Sequence, residues 1–382
     1  MKMSSALLTL VALGSLGLAA CRSSTPGASP AAKSAAQPAA QPAARSAPAS
    51  DYFAGKTITL SVNFSAGGPT DVTGRLLARS LDKHIPGQPT VIVENKPGGG
   101  GMVGMNYLYN AAKKDGLTIG VFTPGFPAQI LGADGVQYDE SKFANLGVTL
   151  ESQASFINPD LGVKDLKDIT QATSEVVFGG LSPDSSKDLG ARSMLNTLGV
   201  KYKYVSGYNG NADFRAAFQR GEINFAEESL TGWFTAVVPM IQAGQALPMG
   251  QRGVLKNGQL VRDSRIPDIP TYTEVAVAAR GEGVKQTIDY RALNALIAMN
   301  VTAREIVYPP GVDPALVEIM RKAVADTFED PEFIASAEKT LGFHQEFMPG
   351  AEAQALSERV LQQSQEDPEA IDYLKRLSKQ GS

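Results

Sequence analysis

Glycine-rich and hydroxyl-rich clusters recur in this sequence at 65–70, 98–101, 182–186 and 208–211. Residues of these types bring backbone N–H groups and small hydroxyls close to a ligand, which is chemistry for holding a small anion rather than for breaking a bond. Competing chemistries lack parts. His84 and His344 are the only histidines, so no His-rich metal site or His-based triad assembles without one of them. His84 falls at an expected helix end before Ile85-Pro86 and His344 follows a helix stop at Gly342, so both read as residues favoured at helix ends. A hydrolase using Ser182 or Ser185 as nucleophile lacks the Gly-x-Ser-x-Gly elbow and a histidine partner. A nucleotide loop at 98–104 lacks the Gly-Lys-Ser/Thr ending. Glu227 and Glu228 are adjacent, and neighbours on a strand point to opposite faces, so at most one enters a cleft. Glu228 is read as a ligand-facing or hinge-facing carboxylate, and Trp233 with Phe234 as core. No catalytic residue, metal or cofactor is expected.

These clusters require elements that aim them at one place. From 57 to 122 the pattern alternates: strand 57–63, helix 71–84, strand 90–94, helix 102–112, strand 117–122. Such short alternation predicts βαβ units and a mainly parallel sheet. Its first two strands each end in a glycine turn, where a parallel sheet presents N–H groups at one edge. The same logic repeats at strand 175–178, loop 179–186, helix 187–198, strand 202–206, loop 207–211, helix 212–220 and strand 223–226. A helix at 232–243 and a strand at 246–250 follow. Asp313-Pro314 and Asp330-Pro331 are good helix starts. The expected organisation is one lobe from 51–158 with 251–350, a second lobe from 159–250, and C-terminal helices at 351–382 packing on the body. Loops of one style facing each other across two lobes make a clamp for a polar ligand.

The chain has 382 residues and a formal charge of −4. Acidic and basic residues are interspersed, so no nucleic-acid surface is expected. Residues 1–20 have the form of a signal peptide, with Lys2 ahead of an apolar run too short to span a bilayer comfortably. The run ends Leu18-Ala-Ala-Cys21, which resembles a bacterial lipoprotein signal in which the cysteine is lipid-modified. Cys21 is the only cysteine, so a body folded beyond it has no disulfide and no thiol chemistry. Residues 21–50 are mostly Ala, Pro, Ser and Gln, too poor in large apolar side chains to offset ordering, and are expected to be a disordered tether.

Asn63-Phe-Ser-Ala-Gly-Gly-Pro-Thr-Asp71 with Arg75-Leu-Leu-Ala78, and Val91-Ile-Val-Glu-Asn-Lys-Pro-Gly-Gly-Gly-Gly101, look like the first two strand-loop blocks of the Bug family, the solute-binding proteins of tripartite tricarboxylate transporters. Asp115-Gly-Leu-Thr118, Ser185-Ser186, Tyr208-Asn-Gly210, Gly221-Glu-Ile-Asn224, Ile266-Pro-Asp-Ile-Pro-Thr271 and Asp330-Pro-Glu332 follow in the family's order. The resemblance implies an α/β two-lobed periplasmic binding protein with two crossovers. It implies a small organic carboxylate as ligand and membrane permease subunits as partners; the Cys21 signal, unusual for that family, adds the expectation of a receptor held at a bacterial membrane by a lipid anchor, and a monomer is expected. Carried over by position, it points to Phe64, Ala66, Gly67, Thr70, Asp71, Gly99 and Gly100 in the first lobe. In the second it points to Ser182, Ser185, Ser186 and Glu228. The chain departs from the family pattern at Asp188, where a histidine or another polar residue is common.

Overall fold

The computed structural model describes residues 51–256, 259–300 and 302–380. The signal, Cys21 and the tether lie outside the described residues. Four strands open the first sheet: β1 (Thr57–Val62), β2 (Thr90–Asn95), β3 (Thr118–Phe122) and β4 (Ala144–Leu150). The second sheet takes β5 (Gln153–Ile157), β6 (Val176–Gly179), β7 (Tyr202–Val205), β8 (Phe225–Ser229) and β9 (Leu247–Gln251). A hairpin, β10 (Val254–Lys256) and β11 (Gln259–Val261), precedes the return of β12 (Arg304–Tyr308) and β13 (Glu346–Pro349) to the first sheet.

The strand order is β13-β4-β12-β3-β1-β2 in the first sheet and β7-β6-β8-β5-β9 in the second. The parallel pairs are those the βαβ alternation predicts: β1 with β2 and β3, and β6 with β7 and β8. Both sheets are nonetheless mixed, because the strands that carry the chain between them run antiparallel to their neighbours: β4 and β12, and β5 with β8 and β9. β1 is buried through Ile58, Leu60 and Val62 because it has parallel partners at both edges and helices over its faces. In the second sheet Phe156 packs edge-on against Phe218 and Trp233, with ring centroids 4.8 and 6.3 Å away. Trp233 is thus core, as its type and setting suggest.

The chain leaves the first sheet between Leu150 and Gln153, slightly earlier than the break expected after residue 158. It rejoins between Met299 and Arg304, far later than expected. Helices Tyr272–Arg280 and Ile288–Met299 instead cover helix Ser186–Leu198, and Tyr272, Val275, Leu293 and Ile297 share a core with Ile157 and Met194. An amphipathic pattern shows that a helix has an apolar face but not which sheet receives it. Helix Gly350–Gln363 then packs on β4, and helix Pro368–Ser378 on Ile288–Met299. One apolar cluster joins Phe126, Leu131, Leu189, Leu296, Val360 and Leu374, fastening the C-terminal helices to elements of both sheets.

Candidate functional site

Both sheets aim loops at a single cleft. On the first sheet, residues 64–70 leave β1 and enter helix Pro69–Ala78, whose N-cap is Gly68 with Pro69 following. Proline suits that first turn because its missing N–H would have no helical acceptor. The loop is braced from behind by Asp71. Its Oδ2 accepts from the Gly67 N–H at 2.9 Å and from Arg75 Nε at 2.8 Å, and its Oδ1 accepts from Asn95 Nδ2 at 2.9 Å. Asn95 Nδ2 also donates to the Phe64 carbonyl at 2.9 Å. Burial pushes the Asp71 carboxyl up, but the bonds from Arg75, Gly67 and Asn95 together hold it below its ordinary value. Thr70 Oγ1 lies 3.0 Å from Thr123 Oγ1, and Asn63 clasps Thr123 through both its amide groups, at 3.1 and 3.2 Å. Gly104 is needed here because a Cβ would come within 2.8 Å of Asn63 Cβ.

On the second sheet, Ser185 caps helix Ser186–Leu198 by accepting from the Asp188 N–H at 3.3 Å. The helix start is held in place by Arg252, which is buried. Its Nη2 donates to the Ser186 and Lys187 carbonyls at 3.0 and 2.9 Å. The same guanidinium is paired with Glu227 through Nε at 2.9 Å and Nη2 at 2.7 Å, and Tyr272 donates to Glu227 at 2.8 Å. Such a forked pair is a form in which buried charge is tolerated, although Arg252 Nη1 has no partner. Helix Asn211–Gln219 starts beside it, capped by Gly210 without a side chain.

A cavity of about 80 Å³ lies among these parts. The first sheet contributes Phe64, Ser65, Ala66, Gly68, Pro69, Thr70 and Thr123, and the second sheet's layer contributes Leu181, Ser186, Lys187 and the stretch 210–213. Gln153 and Arg304, at the two crossings between the sheets, and Ser229, at the end of β8, complete the lining. Three helices therefore begin at one small cavity. Their first N–H groups have no acceptor within the helix, and the positive ends of their dipoles converge. Arg304 adds a guanidinium that donates to Ser229 Oγ at 3.1 Å and lies 3.4 Å from Glu151. Burial pulls this guanidinium below its ordinary range against the opposing pull of Glu151 and Glu228.

Of the residues singled out in the sequence, Phe64, Ala66, Thr70 and Ser186 line this cavity. Gly99, Gly100, Ser182 and Ser185 gather at a smaller neighbouring crevice of about 20 Å³ that shares Ser186. Gly67 and Asp71 sit behind the first loop and shape it. Glu228 is fully buried and outside the lining; it accepts from Asn211 Nδ2 and Arg215 Nη1, so it supports the wall instead of facing the cleft. Glu227 turns the other way, to Arg252, as strand alternation requires. Asn211, at the end of the 208–211 cluster, also lines the cavity, whereas Lys187 and Arg304 do not stand out among the sequence candidates. Lys187 follows the Ser185-Ser186 start and was legible as a first-turn residue, whereas nothing local marks Arg304, which reaches the site only through the return crossing. Among the described residues no cluster of His, Cys, Asp and Glu is arranged to hold a metal ion, and no helix is long and apolar enough to cross a membrane.

Two lobes of mixed α/β sheet with an anion-attracting cleft between them define a periplasmic solute-binding protein, a receptor and not an enzyme. The model of the tripartite tricarboxylate transporter family receptor matches residues 74–366, and the chain belongs to that family. It is 26% identical over 297 residues to the UPF0065 protein in the gbd 5' region of Cupriavidus necator, covering 76% of this chain and 80% of that one. Periplasmic binding protein BugD has the same fold, with a TM-score of 0.64 at 20% identity over 82% of this chain and 97% of that one. So does MatC from Rhodopseudomonas palustris, solved with bound malate, with a TM-score of 0.62 at 19% identity over 85% and 99%.

Proposed function

We propose that this chain is a lipid-anchored extracytoplasmic receptor that captures a small carboxylate-bearing solute between its lobes and delivers it to a tripartite membrane permease. The observation that carries the reading is the convergence of three helix starts with Lys187 and Arg304 on one small cavity. A carboxylate entering there meets helix N-termini, the positive ends of their dipoles and two cationic residues, and the exposed Asp213 is the one acidic residue in the lining, with Glu151 and Asp188 beside the cations outside it. Malate bound in MatC is consistent with a carboxylate in such a cleft. Capture shifts the population toward a closed form that a permease recognises. Cys21 holds the receptor at the membrane, the 21–50 segment spaces it from the surface, and the receptor acts as a monomer.

The reading is tested by melting the purified protein against a panel of organic acids and by mass spectrometry of whatever copurifies without denaturation. A true ligand raises the melting temperature with concentration by mass action. A flat response to every carboxylate, with no copurifying acid, sinks the reading. Cys21→Ala should move the protein from the membrane fraction to the soluble one, and co-purification with permease subunits from cross-linked cells checks the partner.

A further inference from the structure

The last two helices are fastened to different lobes. Helix Gly350–Gln363 belongs to the first: Gln354 accepts from the Asn145 N–H at 3.1 Å and donates to the Ser141 carbonyl at 3.2 Å, and a Cβ on Gly350 would come within 2.5 Å of the Asn145 carbonyl oxygen. Helix Pro368–Ser378 is instead tied along its length to helices that cover the second sheet. At its start Arg291 grips Asp367 through Nε at 2.8 Å and Nη2 at 2.7 Å, and reaches Glu369 at 2.7 Å. In its middle Asn196 donates to the Tyr373 hydroxyl at 2.8 Å. At its end Arg192 donates through Nη2 to the Leu377 carbonyl at 2.8 Å and to that of Gln380, where the helix dipole favours a cation. Residues 364–367 are therefore a third connection between the lobes, beside the crossings at 150–153 and 299–304.

An apolar seam backs this connection. Ala370, Leu374 and Leu377 share one cluster with Leu189 of helix Ser186–Leu198 and with Phe126 and Leu131, the two ends of first-lobe helix Phe126–Leu131. Pro127 and Ala128 of that first-lobe helix line the crevice that also takes Gly100, Ser182 and Ser185. The seam thus runs beside the cleft. Arg192, 2% exposed, also donates through Nη1 to the Pro183 carbonyl at 3.4 Å, so one guanidinium holds both the last helix and the 182–186 loop. Opening the cleft on this flank would draw Leu189 away from Phe126 and expose apolar surface that the seam hides.

We infer that helix Pro368–Ser378 is a strap that limits how far the ligand-free cleft opens, anchored to the first lobe through residues 364–367 and tied to the 182–186 loop through Arg192. A receptor restrained in this way keeps more of its molecules near the binding geometry, and apparent affinity scales with that fraction. The strap acts on the receptor's own equilibrium, so its test needs no ligand.

Thr90→Cys on β2 and Lys203→Cys on β7 put one exposed thiol on an edge strand of each sheet, and in a Cys21→Ala background these are the only two thiols. Spin labels on them read the separation of the lobes by pulsed electron resonance in the ligand-free protein. The parent should give one narrow distance distribution. Arg291→Glu sets a carboxylate against Asp367 and Glu369 and should shift the mean to longer distance and broaden it. Leu374→Asp places a charge in the seam and should do so further. The Arg291 side chain is 34% exposed, so its variant should fold even where the buried Leu374 change does not. A helix that merely stabilises the body would lower the melting temperature in both variants and leave the distances as in the parent. That result overturns the inference, as does a parent whose distribution is already broad.

Discussion

The Ser65 hydroxyl donates to the carbonyl of Asn209 at 3.4 Å, joining the loop that leaves β1 to the loop that precedes helix Asn211–Gln219. At the neighbouring crevice the rims approach just as closely, for a Cβ on Gly100 would stand 2.6 Å from Ser182 Oγ. The two lobes therefore touch at the edges of the cleft through residues without bulk, and the cavity lies behind that contact. A receptor that closes on its ligand needs its rims small enough to meet.

Substitutions at two glycines separate closure from turn geometry. Gly67 has φ +78 with nothing within 4 Å of an added Cβ, whereas Gly100 has φ +63 and faces Ser182. Both changes carry the left-handed backbone penalty of roughly 1–2 kcal/mol, but only the second puts atoms between the lobes. Gly100→Val should weaken ligand affinity about tenfold beyond Gly67→Ala at comparable loss of stability, where 1.4 kcal/mol of lost closure corresponds to that factor. Titration calorimetry beside denaturant melts reads both, and equal affinity in the two variants would show that the rims do not need to meet.

Asp71 makes the first loop pH-sensitive. Its folded pKa lies below the ordinary value of 3.8, so it binds fewer protons folded than unfolded. The stability it contributes is fully present above that value and is lost as pH falls through the folded pKa. Asp71→Asn should therefore cost about 1–2 kcal/mol at neutral pH, through weakened bonds to Gly67 and Arg75, and almost nothing in strong acid. Urea midpoints for both proteins at neutral pH and below about pH 3 check this, and a gap that stays constant across the range would contradict it.

Much of this architecture is legible from residue types. The strand-glycine-helix units at β1 and β2 follow from alternation and turn chemistry, and Phe64, Ala66, Thr70 and Ser186 are found at the cavity because a strand end in a parallel unit is where a loop must open. What escapes is whatever depends on the crossings. Arg304 is an ordinary strand residue in sequence and becomes part of the site only because β12 enters the first sheet beside the cleft. Helices Tyr272–Arg280 and Ile288–Met299 look the same whichever sheet they cover. Glu228 illustrates a third limit. Strand alternation shows that it opposes Glu227, but not that Asn211 and Arg215 already occupy its face.

That arrangement makes Glu228 a support for Asn211, which lines the cavity. Glu228→Gln keeps the size but removes the charge that Arg215 requires, and Arg215 is 14% exposed at its side chain. Removing one partner of a buried pair costs roughly 3–5 kcal/mol, so a large drop in melting temperature is expected together with weaker ligand binding. Pairing it with Arg215→Met should recover stability without recovering affinity if Asn211 is still free to move. A single variant with full affinity would show that Asn211 needs no such brace.

Glu140 and Glu305 make the opposite kind of acid site. Both are buried, one oxygen of each has no hydrogen-bond partner, and no basic side chain relieves them. Burial raises both, Glu140 further because Glu305 is beside it, and Glu305 is pushed up to about 7. Glu140 Oε1 accepts from the Gly125 N–H at 2.9 Å, which ties the pair to the segment following Thr123 at the cavity. Folded protein holds more protons here than unfolded protein above the ordinary value of 4.5, so stability declines as pH rises through about 7, and Glu140, which is raised further, carries the decline beyond that point. Glu305→Gln removes one titration and the repulsion on Glu140, and should flatten the decline and leave the variant more stable than wild type at about pH 8. Denaturant melts of both proteins at intervals between about pH 5 and pH 8 decide it. A wild type whose stability rises over that range would show that the two carboxyls are ionised in the fold.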